Sequence, residues 1–190
     1  MAEHGRGLVA DISAAWRDPR GSIAARLAGR PRDAQLLAWA LGAALIGFVA
    51  GLPEAVQQAG STGTRDEATG VLASRLFGAV FITPLFLFVL AGLSHLIARL
   101  FGGQGSYWSA RVALIWAVVV CVPLVLLNGI ASAILPPLGV SVIALATLAG
   151  FGWIWVAFLS EVENFKKSGL IFGVIFGLPI VSGLFLTIFS

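Results

Sequence analysis

The chain has 190 residues, of which 58% belong to the hydrophobic set and only 11% are charged, with a formal net charge of +3. A soluble domain carries roughly 25% charged residues because its surface must hold water, so a large water-soluble core is excluded in favour of a bilayer protein. The positive balance comes from arginines ahead of the first apolar block and does not read as a nucleic-acid footprint. With one cysteine, Cys121, neither an internal disulfide nor a thiol-relay or zinc-type cysteine motif is possible.

Residues 1–34 hold Arg6, Arg17, Arg20, Arg26, Arg30 and Arg32. Leu8, Ile12 and Trp16 repeat at helical spacing, Asp18-Pro19 breaks the pattern, and Ile23 and Leu27 resume it with Arg26 and Arg30 on the polar side. Such a segment suits the headgroup plane, with arginines near anionic lipid; a solvated tail is the alternative. It is too long for a typical cleaved leader, so the first apolar block is expected to be an uncleaved span.

Five apolar segments follow, at about 35–53, 75–101, 107–135, 138–160 and 168–189. Each approaches the roughly 20 residues that a bilayer core requires. Backbone in lipid must satisfy its own hydrogen bonds, and strand-like alternation is absent, so all five are expected to be helices. The fold class is therefore all-α, an integral membrane helix bundle, divided into residues 1–34 and a five-helix unit over 35–190. Pro84, Pro123 and Pro179 are expected to kink their helices. Pro136-Pro137 forms a tight turn, and residues 54–74 form the only long loop, expected to be mobile.

Basic residues set the orientation. An inside amino terminus puts the leading arginines, Arg99, Arg111, Lys166 and Lys167 on the cytoplasmic side and leaves Arg65 and Arg75 outside. The carboxyl terminus then lies on the far side.

Small residues four apart let helices approach closely. Gly169, Gly173 and Gly177 in the fifth span, and Gly47 and Gly51 in the first, are expected to pack helices, within one chain or across a dimer. Arg111 at the start of the third span and Glu161 at the end of the fourth oppose their own helix dipoles. Pairing with each other would relieve both, unless each snorkels alone. Glu163 has Lys167 at i+4. His95 and Arg99 share a face at the end of the second span, where the histidine is either an interfacial hydrogen bonder or a proton relay. Asn128, with Ser132 one turn on, serves as interhelical glue or lines a small polar cavity. Trp153 and Trp155 fit an interfacial aromatic belt.

No catalytic, cofactor or metal set emerges: there is no zinc-protease motif, nucleophile elbow or phosphate loop, and GGQG lacks the following lysine. The apolar cores hold no acid, which argues against an ion-coupled pump.

The block GGQGSYWSARVALIW, Gly102 to Trp116, and the later WVAFLSEVENFKKSGLIFGVI resemble the bacterial branch of the Yip (Ypt-interacting protein) family. The resemblance covers about residues 30–190. It implies five helices, a cytoplasmic amino terminus, association with itself or with other membrane proteins, and a role in membrane organisation without catalysis. Gly102, Gly103, Gly105, Arg111 and Glu161 carry over as structural or interface positions. Eukaryotic relatives associate with Rab-type GTPases, but the sequence holds no DLYGP-like segment, their long cytosolic leader is not expected here, and GTPase binding is not expected to carry over. The expected function is an adaptor or membrane-organising factor of a bacterial inner membrane. Its docking face would be His95, Arg99, Gly102, Gly103, Gly105, Arg111, Glu161, Glu163 and Lys167. The alternative is a small transporter or lipid-handling protein with a polar groove around Asn128.

Overall fold

The structure, a computed structural model, describes residues 7–62 and 65–165. Every regular element among them is helical: α1 Leu8–Arg17, α2 Pro19–Ala28, α3 Asp33–Ala50, α4 Leu52–Thr62, α5 Arg65–Phe77, α6 Thr83–Leu100, α7 Tyr107–Ile134 and α8 Pro137–Val162, with one π-helical turn, Gly78–Ile82, leading into α6. Among the described residues, four stretches are long and apolar enough to cross a membrane: Asp33–Ala50, Ala68–Leu100, Tyr107–Ile134 and Pro137–Val162. They match the first four expected spans to within a few residues, except that the second begins earlier. The fifth expected span, 168–189, with Pro179, lies outside the described residues.

Helix α7 is the axis, packing on α3, α6 and α8. Its 28 residues, at about 1.5 Å each, exceed a hydrocarbon core of ~30 Å. Val112 to Ala117 are buried on every side, whereas Leu126, Leu127, Ile130 and Ile134 are exposed. A helix apolar all round belongs in a core or in lipid, and α7 does both along its length. Its first half is enclosed because α1 and α2 add a further layer against α7 and α8.

The long loop expected at 54–74 is instead mostly helical, as α4 and α5. Alanine, glutamine and leucine there favour helix, and Glu54 in the first turn of α4 suits the positive end of the dipole. At Pro84 the chain does not simply kink. The ring removes an amide donor and crowds the preceding turn, and the backbone widens into the π-turn just before it, with the Thr83 amide bonding back to Gly78. Helix α7 runs on through Pro123. Pro136 and Pro137 start α8, Pro137 in the first turn, where a missing amide hydrogen costs nothing.

The arginine on the amino-terminal segment is not where periodicity places it. Arg26 turns inward, its guanidinium 3.8 Å from the Trp116 ring centre and 5.2 Å from that of Trp39, and it pairs with Asp11. Trp116 Nε1 donates to Ser22 Oγ at 3.0 Å, and Trp16 Nε1 donates to the Val120 carbonyl at 3.2 Å. The face formed by Ile12, Ala15, Trp16, Ile23 and Leu27 thus meets protein. Leu8 and Val9 remain exposed.

Candidate functional site

The site is built at the α6–α7 turn from two helix ends of the same design. At the end of α6 the Gly103 amide donates to the Ala98 carbonyl at 2.9 Å and the Gly102 amide to Arg99 at 3.1 Å. Gly102 has φ +87°, the left-handed region that favours glycine. This is a Schellman ending. Helix α8 ends alike: the Phe165 amide donates to Ser160 at 3.1 Å, Asn164 to Glu161 at 3.3 Å, and Asn164 takes the left-handed position at φ +57°. Ser106 then opens α7 with a reciprocal cap, its hydroxyl accepting from the Ser109 amide at 3.1 Å while the Ser109 hydroxyl accepts from the Ser106 amide at 2.9 Å.

Glu163 joins the two endings. Its side chain is fully buried. Oε1 lies 2.7 Å from His95 Nδ1, Oε2 accepts from the Gly105 amide at 2.9 Å, and its main-chain carbonyl accepts from the Gln104 amide at 3.0 Å. A buried carboxylate needs such partners, since an unpaired one would be strongly destabilising. Its location at the end of α8 is unfavourable by dipole, but the amino-terminal end of α7 beside Gly105 offsets this. The close approach also accounts for the glycines. A Cβ at Gly103 would stand 2.6 Å from Glu163 Oε2, and one at Gly105 would stand 2.8 Å from it and from the Val162 carbonyl.

The expected pairings are otherwise redistributed. Arg111 meets Asp33, 3.0 Å away in the first turn of α3, and stacks 4.7 Å over the Tyr107 ring. Glu161 is exposed and faces Arg20 at 3.8 Å. The expected Arg111–Glu161 pair is therefore absent, because each residue faces the opposite flank of the α7–α8 hairpin and finds a partner on a helix that the hairpin alone does not contain. Glu163 is turned to His95; Lys167, its expected partner, lies outside the described residues, as do Gly169, Gly173 and Gly177. One turn separates His95 from Arg99, yet the former is largely buried and the latter exposed. Trp153 is half exposed and stacks on Trp16, with ring centres 6.0 Å apart. Trp155, two residues on and so about 200° around the helix, is buried against Phe151 and does not join an interfacial belt.

At the other end of the bundle, Gly47, Gly51 and Asn128 line a cleft of about 900 Å³ between α3, α5, α7 and α8. At Gly129 helix α7 crosses α3 so closely that any Cβ would collide with the Ala50 backbone. Sequence reading missed Gly129, Asp33 and the Arg26–Trp116 contact. Gly129 carried a signal, a small residue followed by Ala133 four positions on; the other two carried none.

Among the described residues no three His, Cys, Asp or Glu side chains gather to hold a metal ion. A family model described as the Yip1 domain matches residues 14–190. The chain belongs to the Yip family. No curated protein and no solved structure matches it. Yip membership, with four apolar helices of spanning length among the described residues, makes this a multi-pass membrane protein in contact with the bilayer, in a family whose members are generally non-enzymatic. In this Yip chain the glycine turn, its acid and its histidine form one hydrogen-bonded unit.

Proposed function

We propose that the chain is an adaptor or membrane-organising factor of a bacterial inner membrane, with five spans, its amino terminus in the cytoplasm and its carboxyl terminus on the far side. The arginine-rich segment 1–34 accompanies a five-helix Yip unit over 35–190. A second copy or another membrane protein docks on the cytoplasmic end, at the layer of His95, Arg99, Gly102, Gly103, Gly105, Arg111, Glu161, Glu163 and Lys167. The observation that carries this reading is the Glu163 clamp. A surface turn held by two amide hydrogen bonds to one buried residue, itself bonded to His95 of α6, presents Gln104, Phe101 and Tyr107 in a fixed arrangement, which lowers the ordering cost of binding. Photo-crosslinking groups at Gln104 and Arg99, in intact membranes, should each give a discrete protein adduct. The same group at Ser141 should not. Absence of any reproducible adduct from Gln104 and Arg99 overturns the proposal.

A second reading is a small transporter or lipid-handling protein. The cleft around Asn128 favours it, since polar side chains there sit within span depth. Lipid scrambling or solute flux in proteoliposomes, lost on Asn128→Leu, tests it; no flux with any of the wild-type protein removes it.

A further inference from the structure

Two contacts fix the depth of the hairpin that α1 and α2 form. Trp16 Nε1 donates at 3.2 Å to the carbonyl of Val120, near the middle of α7. The same ring packs on Gly150, near the middle of α8, where a Cβ would stand 3.1 Å from it. Val120 is about 20 Å from either end of α7. A helix of that length crossing a hydrocarbon core of ~30 Å leaves no more than about 12 Å outside. The Trp16 ring therefore lies at acyl-chain depth, and α2 climbs from there past Trp116 to the start of α3.

The inner face of this hairpin meets protein, and its outer face is apolar too. Val9 and Ala10 of α1 and Ala24, Ala25 and Ala28 of α2 are exposed. The Ser13 hydroxyl among them donates to the Ala10 carbonyl at 2.9 Å. Of the arginines beside that face, Arg17 ends α1, where its charge suits the dipole, and Arg20 faces Glu161.

Unmatched charge gathers where α2 meets α3. Trp108 Nε1, in the first turn of α7, donates to the Pro31 carbonyl at 3.3 Å, so the linker Arg30-Pro31-Arg32 is held level with the start of α7. Pro31 is buried, whereas Arg30 and Arg32 are exposed. Every described acid of the amino-terminal segment is already engaged: Asp11 by Arg26, Asp18 by the Gly21 amide and Asp33 by Arg111. Arg30 and Arg32 have no acidic partner among the described residues. Arg30 also holds φ +43°, while Gly29 just before it takes ordinary helical backbone at φ −70°. A left-handed backbone is unfavourable for a side chain of this length. The strain thus sits at an arginine where a glycine would relieve it, and such outliers cluster at ligand clamps.

We propose that the hairpin and its linker are the site of one anionic phospholipid, of the phosphatidylglycerol type, in the cytoplasmic leaflet. The phosphate meets the guanidiniums of Arg30 and Arg32, whose planar forks suit its oxygens. The acyl chains descend over Ala28, Ala25 and Ala24. Free phosphate or an acidic protein segment would match the two arginines, but neither complements an alanine face that runs down to acyl depth. The leaflet follows from the orientation proposed above; retention of the lipid does not depend on it.

The test is native mass spectrometry of the purified full-length protein offered equal amounts of phosphatidylglycerol and phosphatidylcholine with matched chains. Phosphatidylglycerol should be retained roughly tenfold over phosphatidylcholine. Arg32→Gln should reduce that preference at least threefold, and Arg32→Lys should keep most of it. Arg30→Gly should reduce it as far while leaving the lipid-free melting temperature unchanged or higher, which separates lipid binding from a structural role. Equal retention of the two lipids, a preference unchanged in both Arg30→Gly and Arg32→Gln, or displacement by inorganic phosphate at equal concentration overturns the proposal. So does a photo-crosslinker at Ala24, in intact membranes, that yields a protein adduct and none with lipid. Selective retention in a chain whose amino terminus proves to lie outside keeps the site and moves it to the other leaflet.

Discussion

His95 Nδ1 and Glu163 Oε1 lie 2.7 Å apart although 68 positions separate them in the chain, and the glycine turn is held in the space that this contact leaves. Removing the acid should therefore do more than lose one bond. Glu163→Leu strands the Gly105 amide and the imidazole, at a cost of about 3 kcal/mol or more. Glu163→Gln keeps an acceptor and should cost about 1–2 kcal/mol. Apparent melting temperatures of detergent-purified variants give the order. The His95→Leu, Glu163→Leu double variant should fall short of the summed single effects; strict additivity would show that the two side chains are not coupled.

The three glycines of the turn should respond differently to the same substitution. Gly102 needs only a left-handed backbone, as Asn164 adopts at the end of α8, so Gly102→Asn should cost under about 1 kcal/mol. Gly103→Asn and Gly105→Asn push a Cβ into Glu163 and should lower folded yield sharply, each by about 2 kcal/mol or more. Equal tolerance at all three positions would remove close approach as the reason for the motif.

Charge reversal distinguishes the two possible partners of Arg111. Arg111→Asp should reduce the folded yield, and Asp33→Arg in the same chain should restore part of it. Glu161→Arg should not. Asp33 is mostly exposed, so the pair itself contributes no more than about 1 kcal/mol; most of the loss comes from placing a carboxylate at the Tyr107 ring face.

The contact of Arg26 with Trp116 makes the amino-terminal helices part of the folded body. Trp116→Leu removes the cation–π contact, worth about 1–2 kcal/mol when desolvated, together with the bond to Ser22. Limited proteolysis should then cut between α1 and α3 much faster than in the wild type, with spans α6 to α8 unaffected. Arg26→Lys should be intermediate, since an ammonium stacks less well than a planar guanidinium. Cleavage at an unchanged rate in both variants would mean that the docking does not depend on this stack.

Single cysteines placed at Gln104 and Leu138 in a Cys121→Ser background report the sides of the membrane. The turns lie at opposite ends of α7, so an impermeant maleimide applied to intact cells should label Leu138 alone. Labelling of both or neither at equal rates is incompatible with α7 as a span.

Much of this was legible in the chain itself. Four spans could be drawn to within a few residues, apart from the start of the second, because a bilayer imposes length and apolarity on each helix separately. The Pro136-Pro137 turn and the reversal at Gly102 were also readable, since proline and glycine act through their own backbone. The 54–74 stretch was misread because polarity was taken for loop, although its alanines, its glutamines and Leu72 favour helix. Of the site, the glycines, His95, Arg111 and the two glutamates were found, but their partners were not. Neighbours along a helix suggested Lys167 for Glu163, and opposing dipoles suggested Glu161 for Arg111; both arguments considered too few helices.

By itself, then, the sequence determined that this is an all-helical membrane protein, where its apolar helices run and which residues could turn or carry charge between them. Only the tertiary structure decided that Glu163 faces His95, that Asp33 holds Arg111, that Arg26 lies against tryptophan and that a cleft opens beside Asn128. The physical reason is range. Burial and backbone propensity act along a few neighbouring residues, whereas a salt bridge, a ring stack or a cleft exists only where distant helices have already packed side by side.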